Sequence, residues 1–421
     1  FSALDAALIE AFASIWPDSD KAALHLAALN SWAVARGHSC FTPDLLAEWP
    51  ASAEPGSRER ATQAWHDALR AGNWPQADFI GAATGDAPIV VEGQRAWLRR
   101  YWRYEREIES ALRARAIPFA TLPPAEEVAR ALDELLPSAD AGETDWQRVA
   151  AVTALRAPLT VISGGPGTGK TTTVVRLLAA LLEQPGGERL AIGLAAPTGK
   201  AAARMAEAIR NAKAELPVSA AVKAALPEEA RTLHRLLGSR GDSPAVRHHA
   251  GNPLPLDVLV VDEASMVDLA LMAKLVDALP PQARLILLGD KDQLAAVEAG
   301  AVFAELCEGQ GFSAATAAEL QRLTGQPVPA GAPRSRLGEA VVLLTHSHRF
   351  AGDSGIGELA RRINGGDVAG TLSLLEESRE DLAWQGQPSP AILLERLEQG
   401  YLPYLEAAQT GDPAAAFAAF N

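Results

Sequence analysis

The chain has 421 residues, 48% hydrophobic and 21% charged, enough for two to four domains with buried cores, and this excludes a chain disordered throughout. Lys plus Arg number 38 against 52 Asp plus Glu, a formal charge of −14, so a uniformly basic nucleic-acid coat is excluded, whereas a local basic groove is not. The two cysteines, Cys40 and Cys307, cannot build a disulfide framework and are expected to be reduced thiols in a cytoplasmic protein.

The first residues, Phe1-Ser-Ala-Leu-Asp5, hold an acid and no basic leader, so a secretory signal is not expected. The chain lacks an initiator Met and ends within the helix-like run Ala415-Ala-Phe-Ala-Ala-Phe-Asn421, which reads as a piece of something longer. No run of 18 apolar residues occurs, so no membrane span is expected. Residues 1–115 are rich in Ala, Leu and Trp, with apolar residues at helical spacing (Leu4, Leu8, Phe12, then Leu26, Leu29), and read as a helical domain. Residues 116–144 carry Pro118, Pro123, Pro124 and Pro137 and read as a linker with one short helix over 125–136. From 145 the texture changes. Apolar or β-branched runs at 159–163, 191–196, 258–262, 285–289 and 341–345 alternate with helical stretches, which predicts an α/β fold with a parallel sheet covered on both faces. Residues 240–255 and 326–338, rich in Gly and Pro, read as loops.

Three motifs carry chemistry. Gly164-Gly-Pro-Gly-Thr-Gly-Lys-Thr171 matches the P-loop pattern in full and sits between a predicted strand and a predicted helix, as the mechanism requires. Its glycines let main-chain N–H groups wrap phosphates at a helix N-terminus; Lys170 reaches the β/γ-phosphates and the Thr171 hydroxyl ligates Mg²⁺. Val258-Leu-Val-Val-Asp262-Glu263 ends a buried strand in two carboxylates, the first suited to a metal shell and the second to orienting a water for attack on the γ-phosphate. Leu285-Ile-Leu-Leu-Gly-Asp-Lys-Asp-Gln293 delivers Gln293 to the carboxyl edge of the sheet, where an amide can sense the γ-phosphate.

Together with Ala195-Ala-Pro-Thr-Gly-Lys-Ala-Ala-Ala-Arg204, Thr232-Leu-His-Arg-Leu-Leu-Gly238 and His348-Arg-Phe350, these motifs resemble superfamily 1 DNA helicases and, within them, the RecD family, the alpha subunits of exodeoxyribonuclease V (RecBCD). The resemblance implies two RecA-like domains clamping ATP. The P-loop domain lies over 145–338, a helical partner-docking domain over 1–115 precedes it, and an incomplete second RecA-like domain starts at 339–421. It implies a nucleotide set of Gln147 (adenine reader), Gly164, Gly165, Pro166, Gly167, Thr168, Gly169, Lys170, Thr171 and Thr172. It also implies Thr171 and Asp262 on Mg²⁺, Glu263 as catalytic base, Gln293 as sensor, and Arg349 reaching the γ-phosphate across the cleft. An arginine in that role lowers the barrier by roughly 4–7 kcal/mol. Thr198, Lys200, Thr232 and His234 match motifs that touch single-stranded DNA. The implied activity is ATP-dependent unwinding of duplex ends, 5′→3′, in double-strand-break repair by homologous recombination, within a heterotrimer with RecB-like and RecC-like subunits. The rival readings are a clamp-loading or remodelling P-loop ATPase and a nucleotide-gated scaffold.

Residues 95–115 hold seven Arg against three Glu, interleaved with Trp97, Tyr101, Trp102 and Tyr104. Trp97, Tyr101, Tyr104, Ile108 and Leu112 follow helical spacing and read as one buried stripe with a structural or interface role, rather than a nucleic-acid helix. His38-Ser-Cys40 and His346-Ser-His348 offer too few ligands for zinc. The later motifs of a second RecA-like domain do not occur before Asn421, so this chain is expected to bind nucleotide and to hold half of the clamp.

Overall fold

A computed structural model describes residues 2–48, 71, 73–137, 143–240, 243, 245–293, 299–346, 354–377, 379, 381–384, 386–387 and 389–420. The chain forms two compact units, 1–349 and 350–421.

The first unit opens with α1 (Ala3–Ile15). Ser2 caps it with a reciprocal bond from Asp5, which buries the Asp5 carboxylate without leaving it unpaired with the main chain. α2 (Lys21–Ala35), capped by Asp20, packs on α1 and on a small sheet of β1 (Ile80–Gly81), β2 (Ile89–Glu92) and β3 (Arg95–Leu98). β1 runs parallel to β2, and β3 antiparallel to it. Leu26, Trp32, Phe41, Phe79 and Ile89 form the core there. This sheet adds to the expected helical region. Its strands of two to four residues hold too few alternations to stand out in sequence.

α3 (Arg99–Arg115) carries the basic-aromatic stretch. Tyr101, Tyr104, Ile108 and Leu112 line one side and pack into the core beneath the large sheet described below, while Arg103, Arg106 and Arg113 face solvent. Trp97, expected in the same helical stripe, lies on β3 instead, because the helix begins only at Arg99; the remaining four residues find their partner inside this chain. Arg115, buried, donates to the carbonyls of Ala111 (3.1 Å), Leu279 (2.8 Å) and Pro280 (3.0 Å), tying the end of α3 to the next region. α4 (Ala125–Leu135) starts with Glu126 and Glu127, which suit a helix N-terminus, and buries Val128, Leu132 and Leu135.

α5 (Trp146–Arg156) then leads into the main sheet. Its strands are β4 (Leu159–Gly164), β5 (Ile192–Ala196), β6 (Arg231–Thr232), β7 (Val258–Val261), β8 (Arg284–Gly289) and β9 (Val341–Leu344). Their order is β6-β5-β7-β8-β4-β9 and every pair is parallel. Helices α6 (Lys170–Leu182), α7 (Gly199–Glu215), α8 (Ala220–Ala225), α9 (Leu233–Leu237), α10 (Leu269–Ala278), α11 (Val302–Glu308) and α12 (Ala314–Thr324) fill the connections. Period-two alternation sends Ile162, Val260, Ile286 and Val342 to one face, under α4, α5, α6, α7 and α12. It sends Val161, Leu259, Leu287 and Val341 to the other, under α3, α9, α10 and α11. Each such buried side chain contributes about 1.5–3 kcal/mol. β9 pairs with β4 from Val161↔Val341 to Gly164↔Leu344, so the P-loop sheet continues past residue 338.

The second unit is built of α13 (Gly355–Asn364), α14 (Val368–Glu376), α15 (Pro390–Gln409) and α16 (Pro413–Phe420). Glu358 pairs with Arg362 and Arg379 there, and α15 exposes Leu393, Leu397, Tyr401 and Leu405. Among the described residues no helix is long and apolar enough to cross a membrane.

Candidate functional site

Because all six strands run parallel, the loops that follow β4, β5, β6, β7 and β8 open at one edge of the sheet. The described residues singled out from sequence gather along this edge. Arg349 lies outside the described residues.

The loop after β4 turns at Gly167 and Gly169, both at φ +79°, a conformation that glycine adopts without steric penalty. Gly164 is equally constrained: a Cβ there would lie 2.5 Å from Thr168 Oγ1 and 3.1 Å from the Leu344 carbonyl. Gly165 faces open space. Thr168 Oγ1 donates to the Gly165 carbonyl at 2.9 Å, closing the loop on itself. Lys170 Nζ donates to the carbonyls of Gly164 and, at 3.2 Å, Gly165, so the ammonium stands inside the ring of main-chain groups. Thr171 is half-buried in the first turn of α6 and Thr172 is exposed beside it. Gln147, at the start of α5, donates from Nε2 to the Thr168 carbonyl at 3.3 Å, which places its amide against the loop.

β7 delivers the two acids. Asp262 is anchored by its own N–H on the Ala195 carbonyl (2.9 Å), and its Oδ1 accepts from the Glu263 N–H (2.9 Å). Glu263 has φ +51°, the one non-glycine residue with positive φ among those described, a geometry that costs about 1–2 kcal/mol. Burial pushes the Asp262 carboxyl above its ordinary range, against the Glu263 N–H and the Lys170 ammonium, which pull it down. Burial and then Asp262 push Glu263 up, with Asp290 adding to the rise and Lys170 and Arg204 opposing it. Two carboxylates crowded into a half-dry pocket beside one ammonium are short of positive charge, which suits a hard divalent cation. A threonine hydroxyl, carboxylates and main-chain amides form a donor set that fits a nucleotide phosphate chain and such a cation. Among the described residues no group of three His, Cys, Asp or Glu forms a cage.

Gln293, exposed after β8, accepts at Oε1 from Ser265 Oγ at 3.4 Å. Ser163 Oγ accepts from the Lys291 N–H at 3.0 Å, so the strand before the P-loop holds the loop after β8. Ser163 and Ser265 were not singled out from the sequence. The signal for both was a hydroxyl beside a motif at the carboxyl end of a strand. The positive φ of Glu263 had no sequence signal at all.

Thr198 caps α7, accepting from the Ala201 N–H at 3.2 Å, and Thr232 caps α9, accepting from the Arg235 N–H at 3.3 Å. The register Ala196↔Thr232 sets these two helix starts next to each other. Each hydroxyl keeps its own proton to donate. Lys200 and His234 project into solvent from the same two helices.

Comparison with known proteins agrees with this geometry. Residues 147–299 match the AAA domain family, and residues 1–96 match the family described as RecBCD enzyme subunit RecD, N-terminal domain. The chain is 38% identical over 380 residues to RecBCD enzyme subunit RecD of Haemophilus influenzae, covering 86% of this chain and 59% of that protein. It is 40% identical over 361 residues to the RecD subunit of Mycolicibacterium smegmatis, covering 83% and 58%. Over 142 residues it is 44% identical to the ATP-dependent RecD2 DNA helicase of Deinococcus radiodurans, 34% of this chain and 17% of that protein. The chain thus spans less than two thirds of the length of these relatives. The P-loop fold and the AAA-domain match imply nucleotide binding with a divalent metal. Matched at both its N-terminal and its P-loop regions, and to RecD subunits over more than four fifths of its length, the chain belongs to the RecD family.

Proposed function

We propose that this chain is the nucleotide-binding portion of an ATP-dependent DNA helicase subunit of an exodeoxyribonuclease V complex. It acts in the cytoplasm with RecB-like and RecC-like subunits, unwinding duplex ends 5′→3′ during double-strand-break repair by homologous recombination. Residues 1–115 dock a partner, 145–338 with the added strand β9 form the motor domain, and the unit over 350–421 begins a second RecA-like domain.

One observation carries the reading. The Lys170 ammonium sits on the P-loop carbonyls and also acts on both Asp262 and Glu263. Phosphate grip, metal site and water activation therefore share one pocket. On ATP binding, Lys170 exchanges the Gly164 and Gly165 carbonyls for the β- and γ-phosphates. The main-chain N–H groups of Gly165 and of Gly167 to Thr172 surround the phosphates, and Gln147 holds the adenine edge. Thr171 and Asp262 would hold Mg²⁺, which would supply charge neutralisation on the phosphate oxygens. Glu263 orients the attacking water and takes its proton. Gln293, already bonded to Ser265 beside Glu263, registers the γ-phosphate, and Arg349 completes the charge stabilisation. Thr198, Lys200, Thr232 and His234 hold the strand backbone on the adjacent helix starts, so closure and opening of the nucleotide site move the grip along DNA.

Lys170→Ala tests this in the full-length protein with its partners. DNA-stimulated ATP turnover is expected to fall by roughly 10²–10³, the scale of losing one preorganised charge on the reacting group. Wild-type steady-state turnover by the variant overturns the assignment.

A further inference from the structure

A cleft of about 710 Å³ opens in the first unit, far along the chain from the P-loop residues. One wall comes from the N-terminal region, with the turn at 37–42 and α3. The other comes from the motor region, with the start of α10 and the helix α11. The Gly300 N–H donates to the Gly37 carbonyl at 3.0 Å, a main-chain link between the two walls. The floor is apolar, with Ile108 and Leu112 on one side and Leu269 and Leu306 on the other.

Charge across this cleft is unbalanced. Glu105 on α3 and Glu305 on α11 line opposite walls, and among the described residues neither carboxylate has an ion-pair or hydrogen-bond partner in the chain. Glu105 acts on Glu305 across the cleft: burial, Glu105 and Glu308 raise the Glu305 carboxyl, and Arg95 lowers it. The Cys40 thiol between them is pushed up to about 11 by burial and by Glu105, with Glu305 adding to the rise and Arg95 opposing it. Of the other charges lining the cleft, Glu109 is paired with Arg106 and Arg113, while Arg95, exposed on the same cleft, acts on Glu305 without a direct ion pair to either acid. Two facing carboxylates against the single charge of Arg95 leave an excess of negative charge over an apolar floor, complementary to a side chain with an apolar stem and a cationic head.

We propose that this cleft seats a basic segment of a partner polypeptide, with one arginine or lysine head between Glu105 and Glu305 and its stem on the apolar floor. An occupant touching both walls fastens the N-terminal region to α11, and through Phe303, packed against Gly289, to the strand that carries the sensor loop. The identity of the partner rests on the RecB-like and RecC-like reading above; the chemistry of the seat does not.

The experiment has two arms. In the first, the chain alone is titrated with n-butylguanidinium, and with neutral n-butylurea as its isostere, by saturation-transfer NMR. Saturation transfer to n-butylguanidinium, weak transfer to n-butylurea, and loss of the first in Glu105→Gln/Glu305→Gln are expected. Equal transfer to both probes, or transfer unchanged in the double variant, overturns the seat. In the second, affinity for the RecB-like and RecC-like subunits is measured for the wild type and for Glu305→Gln and Glu305→Lys. A loss of at least about tenfold, larger for Lys than for Gln, is expected. Unchanged affinity in both variants overturns the partner assignment. Failure of the wild type itself to assemble refutes the functional reading, and the first arm then decides the seat by itself. Self-association of the chain that Glu305→Gln abolishes would give the cleft to a second copy and also overturn the proposal.

Discussion

Gly289 ends β8 directly above the ring of Phe303. A Cβ at Gly289 would lie 2.8, 2.9 and 3.1 Å from three ring carbons of Phe303, the first two closer than real Cβ contacts come. The ring is 1% exposed and has no solvent side to retreat to. Gly289→Ala is therefore an overpacking change, expected to destabilise the first unit by about 1–3 kcal/mol. For a unit of this size, residues 1–349, that lowers the melting temperature by roughly 1–2 °C per kcal/mol. Phe303→Leu alone leaves a void and is expected to cost on the order of 1–2 kcal/mol. Combined, the smaller leucine makes room for the new methyl, so the double variant should be more stable than the summed singles by at least about 1 kcal/mol. Scanning calorimetry of the four proteins, following the transition of the first unit, measures this coupling. ATP turnover gives a second readout, since Gly289 leads into the Asp290–Gln293 loop: the single alanine variant should lose activity and Phe303→Leu should restore part of it. Additive stabilities, agreeing within about 0.5 kcal/mol, would refute the claim that this ring props the sensor loop.

Arg115→Met keeps the stem of the side chain but removes the donors to Leu279, Pro280 and Ala111. It should cost roughly 2–3 kcal/mol in thermal unfolding, and amide exchange at the end of α10 should accelerate. Glu305 has a carboxyl raised above its usual range by burial, Glu105 and Glu308. A raised folded-state pKa gives stability that is full below the unfolded pKa and is lost as pH rises through the folded one. Glu305→Gln should therefore raise the melting temperature near neutral pH, with the gain vanishing in acid; an equal gain at both pH values would count against the argument. Lys200→Ala should weaken single-stranded DNA binding at low salt and reduce the slope of log affinity against log salt by about 0.7, the signature of one lost phosphate contact. An unchanged slope in fluorescence anisotropy titrations would remove Lys200 from the DNA track.

Five of the six strands of the main sheet were legible because they are apolar or β-branched runs such as Val258–Val261, and a buried parallel strand needs nothing else, whereas β6 (Arg231–Thr232) holds no such run and was missed. The P-loop was legible because phosphate binding forces glycines at fixed spacing, and Gly167 and Gly169 take up the positive φ values that the pattern implies. Other features were hidden for physical reasons. Two-residue strands such as Ile80–Gly81 carry no period. The basic-aromatic stretch over 95–115 read as a buried stripe with a structural or interface role, but its partner was not legible until α3 was found packed beside α10, because an amphipathic helix encodes that it has an apolar side and not what covers it. Thr198 and Thr232 were legible as polar loop residues, but their capping bonds depend on where each helix starts, a boundary that sequence places only loosely. The bonds of Ser163 to Lys291 and of Ser265 to Gln293 join residues far apart in the chain, and no local pattern encodes such pairs.

Glu263 occupies a backbone basin that glycine, asparagine or aspartate would enter more readily. On the role proposed above for Glu263, a simpler residue there would ease the fold and leave the water without its acid, so folding and catalysis would pull this position in opposite directions. The long carboxyl arm is kept at the expense of a relaxed main chain, and the neighbouring contacts from Ala195 to Asp262 and from Glu263 to Asp262 are what make that compromise tolerable. Attempts to harden this protein by relieving its least comfortable residue would, on this account, begin by disarming it.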